Sequence, residues 1–261
     1  VGKVEEVGVE VEGFSVGDRV AALAPHAQYV NVDVVEDRHK PAAVCLPDEV
    51  SAEAGTFWPL GTSSVLWMWQ TEAGAGDTMV IQGQGLVGSG CLQAAKAQGV
   101  ERVIVVDGLP LRCELALSLG ADEVIDASAV DPIARVLELT DGQGADVVVE
   151  AVGGRAGAAA FAQAQDMLKR GGLLQVLGLY EEEPLPLYSD KIMGKRLVGS
   201  YLDASQRAEG AARTLQLLAS GQIQFDKMIT HRFAYTEAAE AFDLLYKRLG
   251  ETMAVLLTWD E

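Results

Sequence analysis

From residue 79 the chain alternates short apolar runs with stretches that read as helix, and this rhythm restricts the fold more than any other feature. Met79–Gln82, Arg102–Val106, Glu123–Asp126, Asp146–Glu150 and Leu173–Leu177 have the length and composition of strands. Several are apolar without alternation, as in Val103-Ile104-Val105-Val106 and Val147-Val148-Val149, so neither face is left for water. A strand of that kind belongs to a parallel sheet with helices on both sides. Helices are predicted between the strands at 86–98, 111–119, 131–139 and 155–169. Such repetition, with right-handed crossovers, predicts a doubly wound α/β sheet.

The first strand runs into Gly83, Gly85 and Gly88, in "VIQGQGLVGSG", and a helix follows at once. A lone GxGxxG has little specificity. Here the loop opens a helix N-terminus, where unpaired N–H groups and partial positive charge suit a pyrophosphate. Gly85 lets the backbone approach the phosphates, and Gly88 lets the helix pack on the sheet. Asp107 stands 19 residues after Gly88, at the end of the next strand. A carboxylate there accepts hydrogen bonds from adenosine ribose hydroxyls and repels a 2′-phosphate, which favours NAD over NADP. The competing reading is an ordinary turn, with Asp107 as a helix cap.

Residues 1 to about 50 carry β signals: Val-rich runs punctuated by Gly13 and Gly17-Asp18, then Pro25, Pro41 and Pro47. Val9-Glu10-Val11-Glu12 alternates like a strand with one buried face. A sheet entered there exposes an unpaired edge, so residues are expected to precede Val1. After residue 205 a helix (205–219), a β-like piece (Met228–Phe233), a helix (236–247) and a strand (253–257) are predicted.

The 20 basic and 38 acidic residues leave a formal net charge of −18, which argues against nucleic acid or an anionic membrane as a partner. A dinucleotide is unaffected, because backbone N–H groups hold it. There is neither a spanning apolar run nor a signal-peptide pattern. Cys45, Cys91 and Cys113 are far apart and form no metal-ligand spacing with each other or with a histidine, as expected of a reduced cytoplasmic protein.

With those residues in hand, nearly the whole chain resembles the medium-chain dehydrogenase/reductases, the zinc-type alcohol dehydrogenase superfamily. "VGKVEEVG…GFSVGDRVA", "AGDTMVIQGQGLVGSGCLQAAKAQG", "RVIVVDGLPLRCELALSLGADEVID", "GQGADVVVEAVGG", "GGLLQVLGL" and "MITHRFAYTEAAEAF" carry the resemblance in order. It implies a Rossmann domain (56–205) inserted in a partial GroES-like, β-rich catalytic domain (1–55 plus 206–261). It also implies NAD as cofactor and hydride transfer with an alcohol or carbonyl substrate. By position, Gly83, Gly85, Leu86, Val87 and Gly88 face the pyrophosphate, and Asp107 and Arg112 the adenosine ribose. Val152 and Gly153 pass the adenosine side, Leu177, Gly178 and Leu179 offer backbone groups to the nicotinamide amide, and Ser64 lies against the nicotinamide.

The zinc half departs from the family pattern. The resemblance implies that the family's early Cys and Gly-His-Glu stretch should precede Val1; they are absent from this sequence, and Leu60 stands in "FWPLGTSS" near the place of the remaining ligand. No zinc site is therefore expected, unless residues preceding Val1 supply it, and the chain as written is expected to bind NAD without efficient alcohol oxidation. A zinc-independent quinone or carbonyl reductase and a non-catalytic NAD-binding protein are the alternatives. His26, His39 and His231 read as structural or surface residues, and the three cysteines as packing. Trp58, Trp67 and Trp69 fit a substrate pocket or a core equally, and Glu181–Glu183 fit a solvated loop. Residues 195–202, "KRLVGSYL", are the predicted sheet edge for homo-oligomer pairing.

Overall fold

In the computed structural model of the chain the described residues are 1–34, 41–179 and 184–259. They divide into two compact units. One comprises Val1–Leu66, Leu202–Lys247 and Ala254–Glu261, the other Trp67–Tyr201 and Arg248–Met253.

The first unit begins with an antiparallel sheet of β1 (Gly2–Lys3), β2 (Arg19–Ala22) and β3 (Ala43–Cys45), with β2 in the middle. The strand expected at Val9–Glu12 is instead a turn. Val11 N–H donates to the Gly8 carbonyl at 3.1 Å, Gly13 takes φ +83°, and Val9 is fully exposed. Alternation misleads there because two glycines bracket a run too short to pair.

Ser51 caps α1 (Ala52–Gly55), its hydroxyl accepting from Ala54 N–H at 3.0 Å. Next comes α2 (Trp58–Thr71), a helix the sequence reading did not foresee, which crosses the boundary between the units. Pro59 is tolerated in its first turn. The hydroxyls of Thr62, Ser63 and Ser64 donate to carbonyls four residues back, at 2.9, 3.1 and 2.9 Å. A Cβ at Gly61 would lie 2.6 Å from Thr214 and 2.8 Å from Phe225, so glycine is what lets this helix pack closely there.

The second unit follows the predicted rhythm. In chain order it holds β4 (Thr78–Gln82), α3 (Leu86–Gln98), β5 (Arg102–Asp107), α4 (Pro110–Ser118), β6 (Glu123–Asp126) and α5 (Pro132–Leu139). Then come β7 (Ala145–Glu150), α6 (Gly154–Met167), β8 (Leu168–Val176), the short α7 (Ser189–Ile192) and β9 (Arg196–Gly199). The strands form one parallel sheet in the order β6-β5-β4-β7-β8-β9. This is the doubly wound order in which the chain reverses direction between β4 and β7.

Val80, Ile104, Val148 and Leu174 pack against Phe161 and Met167 of α6 on one face of the sheet. β8 begins five residues before the predicted Leu173, because α6 passes into it without a linker. Its register against β7 then shifts between Ala145 and Val147. Asp146 ties three strands: it accepts from Thr78 N–H at 3.0 Å and pairs with Lys169. Burial pulls its carboxyl up, but these bonds outweigh burial and hold it below its usual range. Among the described residues β9 pairs only with β8, leaving an edge on which Leu197 is 43% exposed.

The chain returns to the first unit through α8 (Arg207–Ala219), β10 (Ile229–Ala234), α9 (Ala238–Lys247) and β11 (Ala254–Thr258), with β10 and β11 parallel. Among the described residues no helix is long and apolar enough to cross a membrane.

Candidate functional site

The carboxyl ends of β4, β5 and β7 surround a cleft of about 630 Å³, which lies wholly within the second unit. A crevice outside the strand ends at the switch point is where doubly wound sheets bind ligands. The glycine loop forms its floor. Gly83 takes φ +90° and donates its N–H to the Val106 carbonyl at 2.8 Å. A Cβ on Gly88 would stand 1.9 Å from the Gly83 carbonyl oxygen, so only glycine lets the helix start this close to the strand end.

Gly85 differs. Its backbone is extended, at φ −71° and ψ −169°, a conformation any residue adopts, and nothing but Arg112 Nη1, at 3.9 Å, lies near a Cβ built there. Glycine at 85 keeps the cleft open rather than relieving the fold. It is also the N-cap of α3, with no side-chain cap bond, so the first-turn N–H groups of Leu86, Val87 and Gly88 have no side chain capping them. An uncapped helix start beside an open cleft is a seat for an anion.

Asp107 is 8% exposed and lines the same cleft. Its Oδ2 accepts from Gln84 N–H at 2.7 Å and its Oδ1 from Leu109 N–H at 2.9 Å. Arg112 Nη1 lies 3.7 Å from Oδ2, while Arg112 Nε is buried without a partner. The carboxylate is thus fixed by the loop on one side and the start of α4 on the other, with a cation beside it. Cys113, in the first turn of α4, donates from Sγ to the Asp107 carbonyl at 3.5 Å; burial, then the charge of Asp107, pushes its thiol up. Burial likewise pushes up the thiol of Cys91, enclosed in α3.

Val152 lines the cleft, and its N–H donates to Glu150 Oε1 at 2.8 Å. Gly153 takes φ +56°, and a Cβ there would press on Leu179 N and O at 3.2 Å. Leu177, Gly178 and Leu179 follow β8. The N–H groups of Leu177 and Gly178 donate to the Glu150 carbonyl at 2.8 and 3.1 Å, and the Leu179 carbonyl accepts from Gly154 at 3.0 Å. The sequence reading has these residues offering backbone groups to a ligand, whereas the structure uses several of those groups to close the β7–β8 end.

Other singled-out residues are elsewhere. Ser64 is fully buried with its hydroxyl on the Leu60 carbonyl, and Trp58 is a core residue. Trp67 and Trp69 are half-buried, Cys45 and His26 are exposed, and His231 stacks on Phe233 in β10. His39 and Glu181–Glu183 lie outside the described residues. Sequence reasoning missed the glutamines. Gln82 and Gln163 line the cleft, and Gln84 is buried with neither amide atom partnered. Gln82 and Gln84 are signalled only by their position in "QGQG", and Gln163 has no signal in the sequence.

Among the described residues no group of three or more His, Cys, Asp or Glu is placed to hold a metal ion, so they do not fit a zinc centre.

The sequence profile of the zinc-binding dehydrogenases matches residues 87–219. L-threonine 3-dehydrogenase of Bacillus licheniformis is 32% identical over 223 residues, 85% of this chain and 61% of that one. A quinone oxidoreductase of Pseudomonas aeruginosa is 34% identical over 268 residues, covering 98% of this chain and 79% of its own. The alcohol dehydrogenase TADH from Thermus sp. ATN1 superposes with a TM-score of 0.79 at 25% identity, over 99% of this chain and 82% of that structure. The chain therefore spans from 61% to 82% of the length of these relatives. A profile that matches half the chain, and that begins within the glycine loop, joins the parallel sheet and cleft in one assignment: the chain belongs to the zinc-binding dehydrogenases, the alcohol dehydrogenase-like branch of the medium-chain dehydrogenase/reductases.

Proposed function

We propose that this chain is an NAD-dependent oxidoreductase acting on a small alcohol or carbonyl compound. The observation that carries the reading is the pairing of an uncapped helix start, opened by Gly85, with a buried carboxylate at the end of the next strand. The nicotinamide cofactor supplies the hydride or takes it up. Gly85, Leu86, Val87 and Gly88 would hold its pyrophosphate through backbone N–H groups and the helix dipole, while Gly83, its own N–H on the Val106 carbonyl, would shape the loop that faces it. Asp107 accepts from the adenosine ribose hydroxyls, with its remaining lone pairs directed by the bonds from Gln84 and Leu109. Arg112, with Nη1 3.7 Å from Asp107 Oδ2, lies beside the same ribose.

Val152 and Gly153 border the adenosine, and Leu177, Gly178 and Leu179 border the nicotinamide end with the backbone groups not used between β7 and β8. The first unit, of residues 1–66, 202–247 and 254–261, takes the part of the GroES-like substrate domain. Threonine, alcohol and quinone relatives differ over the substrate, which leaves the class at alcohol or carbonyl.

Fluorescence titration with NADH and NADPH tests the cofactor. NADH is expected to bind more tightly, and Asp107→Ser with Gly108→Arg to narrow or reverse the preference. Equal affinity of the unmodified chain for both overturns the assignment of Asp107. Position 108 accepts a side chain, since a Cβ there meets nothing nearer than Ser128 N at 3.9 Å. Turnover with a panel of alcohols and quinones, alongside elemental analysis for zinc, then separates the substrate classes.

The exposed β9 edge is proposed to pair with a second copy about a two-fold axis. Light scattering is expected to give a dimer that Leu197→Asp dissociates, and a strict monomer at micromolar concentration removes the proposal.

A further inference from the structure

Two amides stand in a wall of the cleft that is otherwise apolar. Gln82 ends β4 just before the glycine loop and is 3% exposed, while Gln163 projects from α6 beyond Ala156, Ala159 and Ala160. Gln82 Nε2 donates to Gln163 Oε1 at 3.0 Å. That one bond leaves both amides half used. Gln82 Oε1 is buried with no partner, and the Gln163 nitrogen bonds to no described residue.

A buried amide oxygen without a donor carries its whole desolvation cost, so it marks a place where a donor is missing. The unused atoms are one acceptor and one donor, on neighbouring side chains. A ligand edge that offers an amino group next to a ring nitrogen matches them, and adenine is such a ligand. Val106, Val152 and Ala160 supply apolar surface for the faces of a flat base. Asp107, the proposed ribose partner, ends the strand next to the one that ends in Gln82.

We propose that Gln82 and Gln163 read the amino-bearing edge of the adenine of the bound dinucleotide: Gln82 Oε1 accepts from the 6-amino group and Gln163 Nε2 donates to the adjacent ring nitrogen. This rests on the dinucleotide reading and adds to it a selection by base. If the two glutamines only pin α6 to β4, their removal changes stability and leaves base preference untouched.

The test is a fluorescence titration of the whole chain with NADH and with reduced nicotinamide hypoxanthine dinucleotide, in which an oxo group replaces the amino group. The unmodified chain is expected to bind the hypoxanthine form about tenfold more weakly, at the lower end of what an amide-to-adenine contact discriminates. Gln163→Leu is expected to bring the ratio close to one by weakening NADH alone. It lies on a half-buried helix face, so this variant folds even if Gln82→Leu does not. NADH binding with no base preference in the unmodified chain overturns the proposal and leaves the dinucleotide reading standing, as does a ratio unchanged in Gln163→Leu. Failure of the unmodified chain to bind NADH removes both.

Discussion

The strands of the two units are built for different surroundings. In the second unit Met79, Val80 and Ile81, with Val103, Ile104 and Val105 beside them, are wholly buried, each strand enclosed on both faces. In the first unit β1 is exposed throughout, β2 buries only Ala21, and Val16, Leu23 and Tyr29 lie open to solvent. The difference teaches where stability and function reside. The parallel unit carries a core of its own and makes its cleft from its own residues. No residue of β1, β2 or β3 lines that cleft.

The sharpest way to break this comparison is a truncation in each unit. Phe161→Ala removes a buried ring from the α6 face and is expected to cost about 3–5 kcal/mol, whereas Leu23→Ala, at 56% exposure, is expected to stay within about 0.5 kcal/mol. Urea melts give both numbers. Comparable costs would mean that the first unit is as tightly packed as the second.

Two glycines of one loop sharpen it further. Gly85→Val is expected to leave the melting temperature unchanged and to weaken NADH by about 2 kcal/mol, near thirtyfold, by standing where the ligand approaches. Gly88→Ala sets a methyl 1.9 Å from a carbonyl oxygen and is expected to lower stability and binding together. Calorimetry paired with titration reads both, and a Gly85→Val protein with full affinity refutes the loop geometry.

A smaller effect concerns acid. Asp146 is held below its ordinary range in the folded chain, so its stabilisation is complete above the unfolded carboxyl pKa of about 4 and fades as pH falls through the folded value. Asp146→Asn is expected to flatten the acid limb of stability measured by urea melts between pH 3 and 6. An unchanged limb would show that the tie between β4, β7 and β8 contributes nothing.

The same contrast explains what could be read from the sequence. Strands buried on both faces leave runs such as Val147-Val148-Val149, and the loop leaves its glycines, so the sheet, α3 and Asp107 were legible. Half-buried strands leave a weaker trace. Val9–Glu12 imitates their alternation and is a turn, while the true strands, two to four residues long, are too short to show it. Helix α2 was hidden because it is apolar nearly all round and contains Pro59 and Gly61, so no amphipathic stripe announces it. Gln163 was illegible for another reason: its meaning lies in a bond to a residue 81 positions away.

The switch between β4 and β7 also bears on how the protein comes apart. The strands of that seam join residues as distant as Thr78 and Asp146, 68 positions apart, whereas β4-β5-β6 and β7-β8-β9 each form from neighbouring segments. Closing the seam is the entropically demanding step of assembly, and the cleft comes into being with it. A molecule seated there touches Asp107 on one half and Val152 on the other, and must leave before the halves part. Such a molecule would therefore add to the barrier against unfolding more than it would speed folding, and the lifetime of the native chain would then follow the concentration of whatever binds there.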